Sequence, residues 1–178
     1  MKKLLYAMLA FGMVACGKKD SEVPANQLTS NDFESFEGWL GDMNVPSLNK
    51  DKAHSGRWSL KVGPNIEFAM GYNILLGKLS PSKLKKIKVK AWAYLPNGKA
   101  QAVLVTQLTR PVEGNKQMMW EGLDLAKDVK TYNKWVEVEK TITLPADANY
   151  ADKLSMYLWR TNENETAYID DLSIEKAE

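Results

Sequence analysis

The chain has 178 residues, 24 Lys or Arg against 22 Asp or Glu, one histidine and one cysteine. One cysteine excludes an internal disulfide and any thiolate metal cluster, and one histidine excludes sites built on several imidazoles. So even a charge balance carries no general affinity for polyanions such as nucleic acids.

The N-terminus is basic at Lys2 and Lys3, and Leu4 to Ala15 is an apolar run of 12 residues interrupted only by Tyr6 and Gly12. That is the layout of a secretory signal, and it is shorter than the ~20 residues of a membrane-spanning helix. Met13-Val14-Ala15-Cys16 resembles the lipobox of bacterial lipoproteins, with Met13 where Leu is more usual. The resemblance implies that residues 1–15 are a cleaved signal peptide and that Cys16 becomes the acylated, palmitate-bearing first residue. The expected location is the bacterial cell envelope, on the outer membrane in a Gram-negative cell. The mature chain then has 163 residues, enough for one domain, with basic and acidic residues equal at 22 each. Residues 16–30 are the lipidated cysteine and a polar stretch without period, which reads as a flexible tether.

From Asn31 the texture changes to short alternating runs between turn signals, the pattern of an all-β sandwich. Trp58 to Val62 is closed by Gly63-Pro64-Asn65, and Ile87, Val89, Ala91, Ala93 and Leu95 alternate with Lys86, Lys88, Lys90, Trp92 and Tyr94 before Pro96-Asn97-Gly98. Ala102 to Leu108 is β-rich, and Val136, Val138, Ile142 and Leu144 keep a period of two. Leu154, Met156 and Leu158 alternate with Ser155, Tyr157 and Trp159, and Tyr168 to Glu175 is the last strand. Asn65 to Leu76 is strand-like, whereas Arg110 to Tyr132 reads as a long connection. Helical signals are confined to one turn after Leu123 and another opened by Ser80-Pro81-Ser82. The expectation over residues 31–178 is one antiparallel β-sandwich of eight to ten strands.

Four stretches stand in an informative order: Asn31-Asp32-Phe33-Glu34 followed by Trp39; Ala53-His54-Ser55-Gly56-Arg57-Trp58 to Val62; Trp135 leading to Thr141 to Pro145; and Tyr168-Ile169-Asp170-Asp171-Leu172-Ser173-Ile174. Together they resemble the jelly-roll carbohydrate-binding modules of the cellulose- and xylan-binding kind, in the galactose-binding-domain-like superfamily. The resemblance spans about residues 31–176 and rests on framework residues, so it speaks to fold more than to ligand. It implies a structural calcium held by the carboxylates of Glu34 and Asp170 and the backbone carbonyls of Asp32 and Trp58. Calcium favours six to eight oxygen ligands, and such an ion would tie the first strand to the last. The plainer alternative is that Glu34 and Asp170 are exposed charges beside turns.

Carbohydrate recognition on such a sandwich rests on aromatic rings that stack on sugars, with amide and charged groups beside them. All six tryptophans follow Cys16. Trp39, Trp58 and Trp135 belong to the framework stretches. Trp92, Tyr94, Tyr157 and Trp159 lie opposite apolar core positions and are the candidate platform, the alternative being a covered satellite core. Trp120 is a candidate loop rim, Gln107 and Arg110 are candidate hydrogen-bonding partners, as is Gln101, and Phe68 and Tyr72 are further candidates. Lys83, Lys85, Lys86, Lys88 and Lys90 read as an acidic-polysaccharide patch or as a solvated face or guarded edge strand; neutral net charge favours the second.

No catalytic pattern emerges. Asp170 and Asp171 are consecutive and are expected on opposite faces of a strand, which cannot flank one glycosidic bond. Glu121 and Asp124 have no supporting motif, and neither a phosphate loop nor a nucleophile elbow is present. His54 reads as a turn residue. The expected function is a non-catalytic, membrane-anchored lipoprotein that binds carbohydrate or glycoconjugate. The alternative is a structural or adhesion sandwich with envelope protein partners; a jelly-roll glycosidase or lyase ranks below both.

Overall fold

A computed structural model describes residues 24–36, 45–161 and 165–178, which leaves Cys16 and Trp39 outside the described residues. Its strands are β1 (Gln27–Asn31), β2 (Leu48–Asn49), β3 (Ser59–Val62), β4 (Tyr72–Leu75), β5 (Lys86–Tyr94), β6 (Ala102–Arg110), β7 (Lys116–Asp124), β8 (Trp135–Thr143), β9 (Lys153–Arg160) and β10 (Ala167–Ala177). Two single-turn helices, α1 (Leu76–Leu79) and α2 (Leu125–Asp128), and two 3-10 turns complete the described elements. No described helix is long and apolar enough to cross a membrane.

The strands form two antiparallel sheets. One is six-stranded in the order β2-β3-β10-β5-β8, with β1 also paired to β10; the other is four-stranded in the order β4-β9-β6-β7. β10 is the longest strand and carries two partners on one side. Residues 167–169 pair with β3, and residues 172–175 pair with β1. Every second residue of β5 faces inward, so Ile87, Val89, Ala91 and Ala93 are buried. They belong to the same core as Leu104 and Leu108 of β6 and Leu154, Met156 and Leu158 of β9. Short alanines on one sheet beside long leucines on the other let the layers interdigitate.

Several expectations need correction. The sandwich starts inside the expected tether, because Gln27 to Asn31 already pair with β10 and Asn26 accepts from the Lys176 amide through its carbonyl. The supposed connection from Arg110 to Tyr132 contains a full strand, β7, hydrogen-bonded to β6 through a turn in which Gly114 takes a φ of +67°. β7 is a sheet edge whose side chains are largely half-exposed, so no clean alternation marks it. Asn65 to Leu76 is strand only in its last part, with isolated bridges at Ile66 and Phe68. The turn of helix near Ser80 precedes it instead of following, since α1 ends at Leu79.

β5 is an interior strand, so its lysines do not guard an edge. Lys90 pairs with Glu175 at 2.9 Å and Lys88 with Glu139 at 3.8 Å, which makes this a solvated face laced with opposite charges. The Glu175 carboxyl is held below its ordinary range chiefly by the hydrogen bond from Lys90.

Candidate functional site

Alternation along β9 turns Leu154, Met156 and Leu158 into the core and leaves Ser155, Tyr157 and Trp159 on the outer side of the four-stranded sheet. Register carries that outer face across the neighbouring strands. Ser155 lies opposite Asn73 of β4 and Gln107 of β6, and Gln107 lies opposite Trp120 of β7. One step along, Tyr157 lies opposite Val105, which lies opposite Gly122; a further step pairs Trp159 with Val103 and, through an isolated bridge, with Phe68. Strands ~4.8 Å apart make this face roughly 14 Å wide across the sheet, the span of an oligosaccharide.

Aromatic rings occupy both flanks. Phe68 lies parallel to Trp159 with centroids 6.4 Å apart and meets Tyr157 edge-on at 5.9 Å. Phe68 is 53% exposed and Trp120 43%, while Val105 between them forms a fully buried floor. Gly122 explains how Trp120 lies over the sheet. A Cβ there would stand 2.7 Å from Val103 Cγ1 and 3.0 Å from the Trp120 ring. Along one side runs an uncharged polar row in which Ser155 Oγ donates to Asn73 Oδ1 at 2.7 Å and Gln107 Nε2 donates to Gln117 Oε1 at 3.1 Å. Rings offering flat apolar faces, next to amides and hydroxyls with both donors and acceptors, suit a neutral polyhydroxylated ligand. The indole N–H of Trp159 is buried without a protein hydrogen-bond partner.

The structure divides the expected residue set. Trp120, Tyr157, Trp159 and Gln107 share this face, together with Phe68. Trp92 and Tyr94 do not: they belong to the other sheet, beneath the turn at residues 53–58. His54 stacks on Trp92 at 3.9 Å and meets Trp135 edge-on at 5.8 Å. Tyr94 is buried, donates to Asn133, and packs on Trp135 and Tyr168, with Lys52 over its ring at 4.6 Å. Arg110 points away from the face as well. Its guanidinium grips the buried Asp152 through two hydrogen bonds of 2.9 and 3.0 Å and also reaches Asp147. That contact holds the Asp152 carboxyl below its usual range and raises the Arg110 pKa further, so Arg110 is a structural clamp. Tyr72 faces inward opposite Met156, and Gln101 is exposed outside the strands.

Asn73, Ser155, Gln117 and Gly122 were not among the expected residues. Ser155 was recoverable from its alternation with Tyr157 and Trp159. Gln117 and Gly122 were hidden because β7 lacks a period.

The residues named for a cation meet at the turn 53–58. Glu34 Oε1 accepts from the backbone amides of Arg57 and Trp58 at 2.7 and 2.6 Å. Asp170 Oδ2 accepts from those of His54 and Ser55 at 2.7 and 3.2 Å. Asp32 uses Oδ1 to accept from the Glu34 amide. Gly56, at φ +55°, makes the approach possible, since a Cβ would fall 2.3 Å from Glu34 Cδ. Both carboxylates therefore converge on one turn, where backbone N–H groups occupy Glu34 Oε1 and Asp170 Oδ2. Among the described residues no group of three or more acidic, histidine or cysteine side chains is arranged to hold a metal ion. Asp170 is fully buried, and burial pushes its pKa up to about 6 against the hydrogen bonds that favour its charge.

Here a further expectation fails: Asp170 and Asp171 do not face opposite ways. The pairing of β10 is shifted between Asp170 and Ser173, and Asp171 adopts a φ of +47°. The bulge turns both carboxylates to the same turn, where Asp171 binds His54 Nδ1 at 2.5 Å and accepts from Ser55 Oγ at 2.7 Å.

No protein-family model and no curated protein matches the chain. Solved structures do. A CBM22 xylan-binding domain is 20% identical with a TM-score of 0.55, over 87% of this chain and 97% of that one. The C-terminal family 22 carbohydrate-binding module of Clostridium thermocellum Xyn10B is 14% identical with a TM-score of 0.55, over 85% and 94%. The CBM22-1 xylan-binding domain of Paenibacillus barcinonensis Xyn10C is 18% identical with a TM-score of 0.51, over 85% and 96%. At these identities the likeness is one of fold, the all-β antiparallel jelly-roll sandwich.

Proposed function

We propose that this protein is a non-catalytic carbohydrate-binding module displayed on the bacterial envelope by a lipid on Cys16. The observation that carries the binding reading is the outer face of the four-stranded sheet, with Phe68, Tyr157, Trp159 and Trp120 exposed or half-exposed around an uncharged polar row. Its chemistry favours neutral glycans, and the xylan-binding neighbours make β-linked xylan oligosaccharides the first ligands to test. Stacking on preformed rings needs little rearrangement. Single-site binding is expected to be weak, with many copies on one surface raising avidity.

The anchoring part rests on Lys2, Lys3, the apolar run and Cys16. Cells fed labelled palmitate should mark the protein, and a Cys16→Ala variant should lose the label. A calcium ion at Glu34 and Asp170 belongs to the same proposal, supported by two carboxylates on one turn and the buried charge of Asp170.

Isothermal calorimetry or affinity electrophoresis against xylan, β-glucan and other neutral polysaccharides tests the binding reading. Retarded migration or measurable heat with at least one of them is expected. Silence across a broad glycan array would favour the alternative, an adhesion sandwich that uses the same face for protein contact.

A further inference from the structure

The space between the two sheets is not filled everywhere. Between β1 and β4 lies a cavity of about 280 Å3, although protein interiors hold few voids larger than a water molecule. Leu60, Met70, Leu104, Met156, Leu158 and Ile174 form its walls, and Thr29, Ser30 and Asn31 of β1 line it too. Ser30 is exposed, so the polar residues mark the side that opens to solvent. Its walls are mainly the inner side of β9 and β6, and at its margin it reaches Tyr157, which borders the face assigned to carbohydrate.

Two properties define what such a space accepts. A void of this size left empty forfeits dispersion contacts along its whole lining, and an apolar cavity does not gain by admitting water. None of the described residues lining it is charged. A carboxylate or ammonium drawn into it would lose its hydration with no counter-charge in return, whereas a hydroxyl or amide could join the hydrogen bonds that Thr29, Ser30 and Asn31 already make with Tyr72, Gln27 and the Phe33 amide.

We propose that this cavity binds a small neutral amphiphile, with its apolar body between the sheets and its uncharged head at Thr29–Asn31. An apolar cavity of 150 Å3 holds benzene, so this one suits a fused bicycle or a chain of about ten carbons. Tyr157 borders both sites, but Met70, Leu104 and Met156, which wall this one, lie on the inner side of the sheet, so its test does not depend on the carbohydrate reading.

The full chain carrying Cys16→Ser, which lacks an acyl group of its own, is titrated with the neutral fluorophore N-phenyl-1-naphthylamine. Saturable enhancement is expected, displaced by 1-decanol at a concentration at least tenfold below that of decanoate at pH 8. Met70→Trp in the same background fills the cavity and should abolish the enhancement while circular dichroism stays that of a folded sandwich. It also controls for dye bound by the apolar N-terminal run. If that variant does not fold, Leu104→Phe serves as the filling variant, and a rise in the melting temperature of the Cys16→Ser chain with 1-decanol gives the second readout. Absence of saturable enhancement, a folded filled variant that still binds dye, or equal displacement by decanol and decanoate would each overturn the proposal.

Discussion

Two aromatic layers lie on the outsides of this sandwich, one on each sheet, and they begin from the same pattern. On β5, Trp92 and Tyr94 alternate with Ala91 and Ala93; on β9, Tyr157 and Trp159 alternate with Met156 and Leu158. Yet the first pair is roofed by the turn at residues 53–58 and by Asn133, while the second stands in an open face with Phe68 and Trp120. Alternation says which side of a sheet a ring takes. Whether that side meets water depends on where distant loops lie.

Substitutions in each layer separate their roles. Trp92→Ala removes the ring under His54 and should cost about 2 kcal/mol of stability, below the 3–5 kcal/mol of a fully buried tryptophan. Its affinity for any glycan bound by the parent should be unchanged, which calorimetry at a temperature well below the melt would check. Trp159→Ala should do the reverse, weakening glycan binding by about 2 kcal/mol, roughly thirtyfold. Loss of binding in Trp92→Ala with binding retained in Trp159→Ala would invert the assignment of the faces.

Gly122→Ala is a smaller test of the open face. The new methyl group crowds Val103 and displaces the Trp120 ring, so affinity should drop several-fold and the melting temperature should fall by a few degrees. Arg110→Gln should lower the melting temperature by several degrees without changing affinity, because Arg110 serves Asp152 and not the ligand face.

The smallest effect concerns Asp170 beneath the roofed layer. Its folded pKa of about 6 lies above the ordinary 3.8, so the folded state binds this proton more tightly than the unfolded chain. In chelator, stability should therefore rise by a few degrees of melting temperature as pH falls from 7 to 5. Asp152 and Glu175, whose pKa values are lowered, lose their contributions only at more acid pH. Asp170→Asn should flatten the slope. Excess calcium should raise the melting temperature at pH 7 and also flatten it, since a cation favours the ionised carboxylate; identical melts in calcium and chelator would count against the ion.

Much of this architecture is legible in the amino-acid sequence. Six strands from Trp58 onward announced themselves by period two or by β-rich composition, and the framework stretches pointed to the jelly roll. β7 escaped because an edge strand with both sides half-exposed has no burial contrast to imprint on its residues. Asp170 and Asp171 misled because one bulge with a left-handed residue cancels the rule that neighbours on a strand point apart.

The linear chain by itself determined the two-layer β architecture, the inward positions of Ile87, Val89, Leu154, Met156 and Leu158, and the motif at Cys16. Those features depend on local periodicity and on residue order, which a sequence contains in full. The tertiary structure alone decided that Trp92 is roofed and Trp159 is not, that Arg110 serves a buried carboxylate, that Gly122 makes room for Trp120, and that a cavity remains between β1 and β4. Each of these is a relation between residues far apart along the chain, set by register, bulges and loop placement.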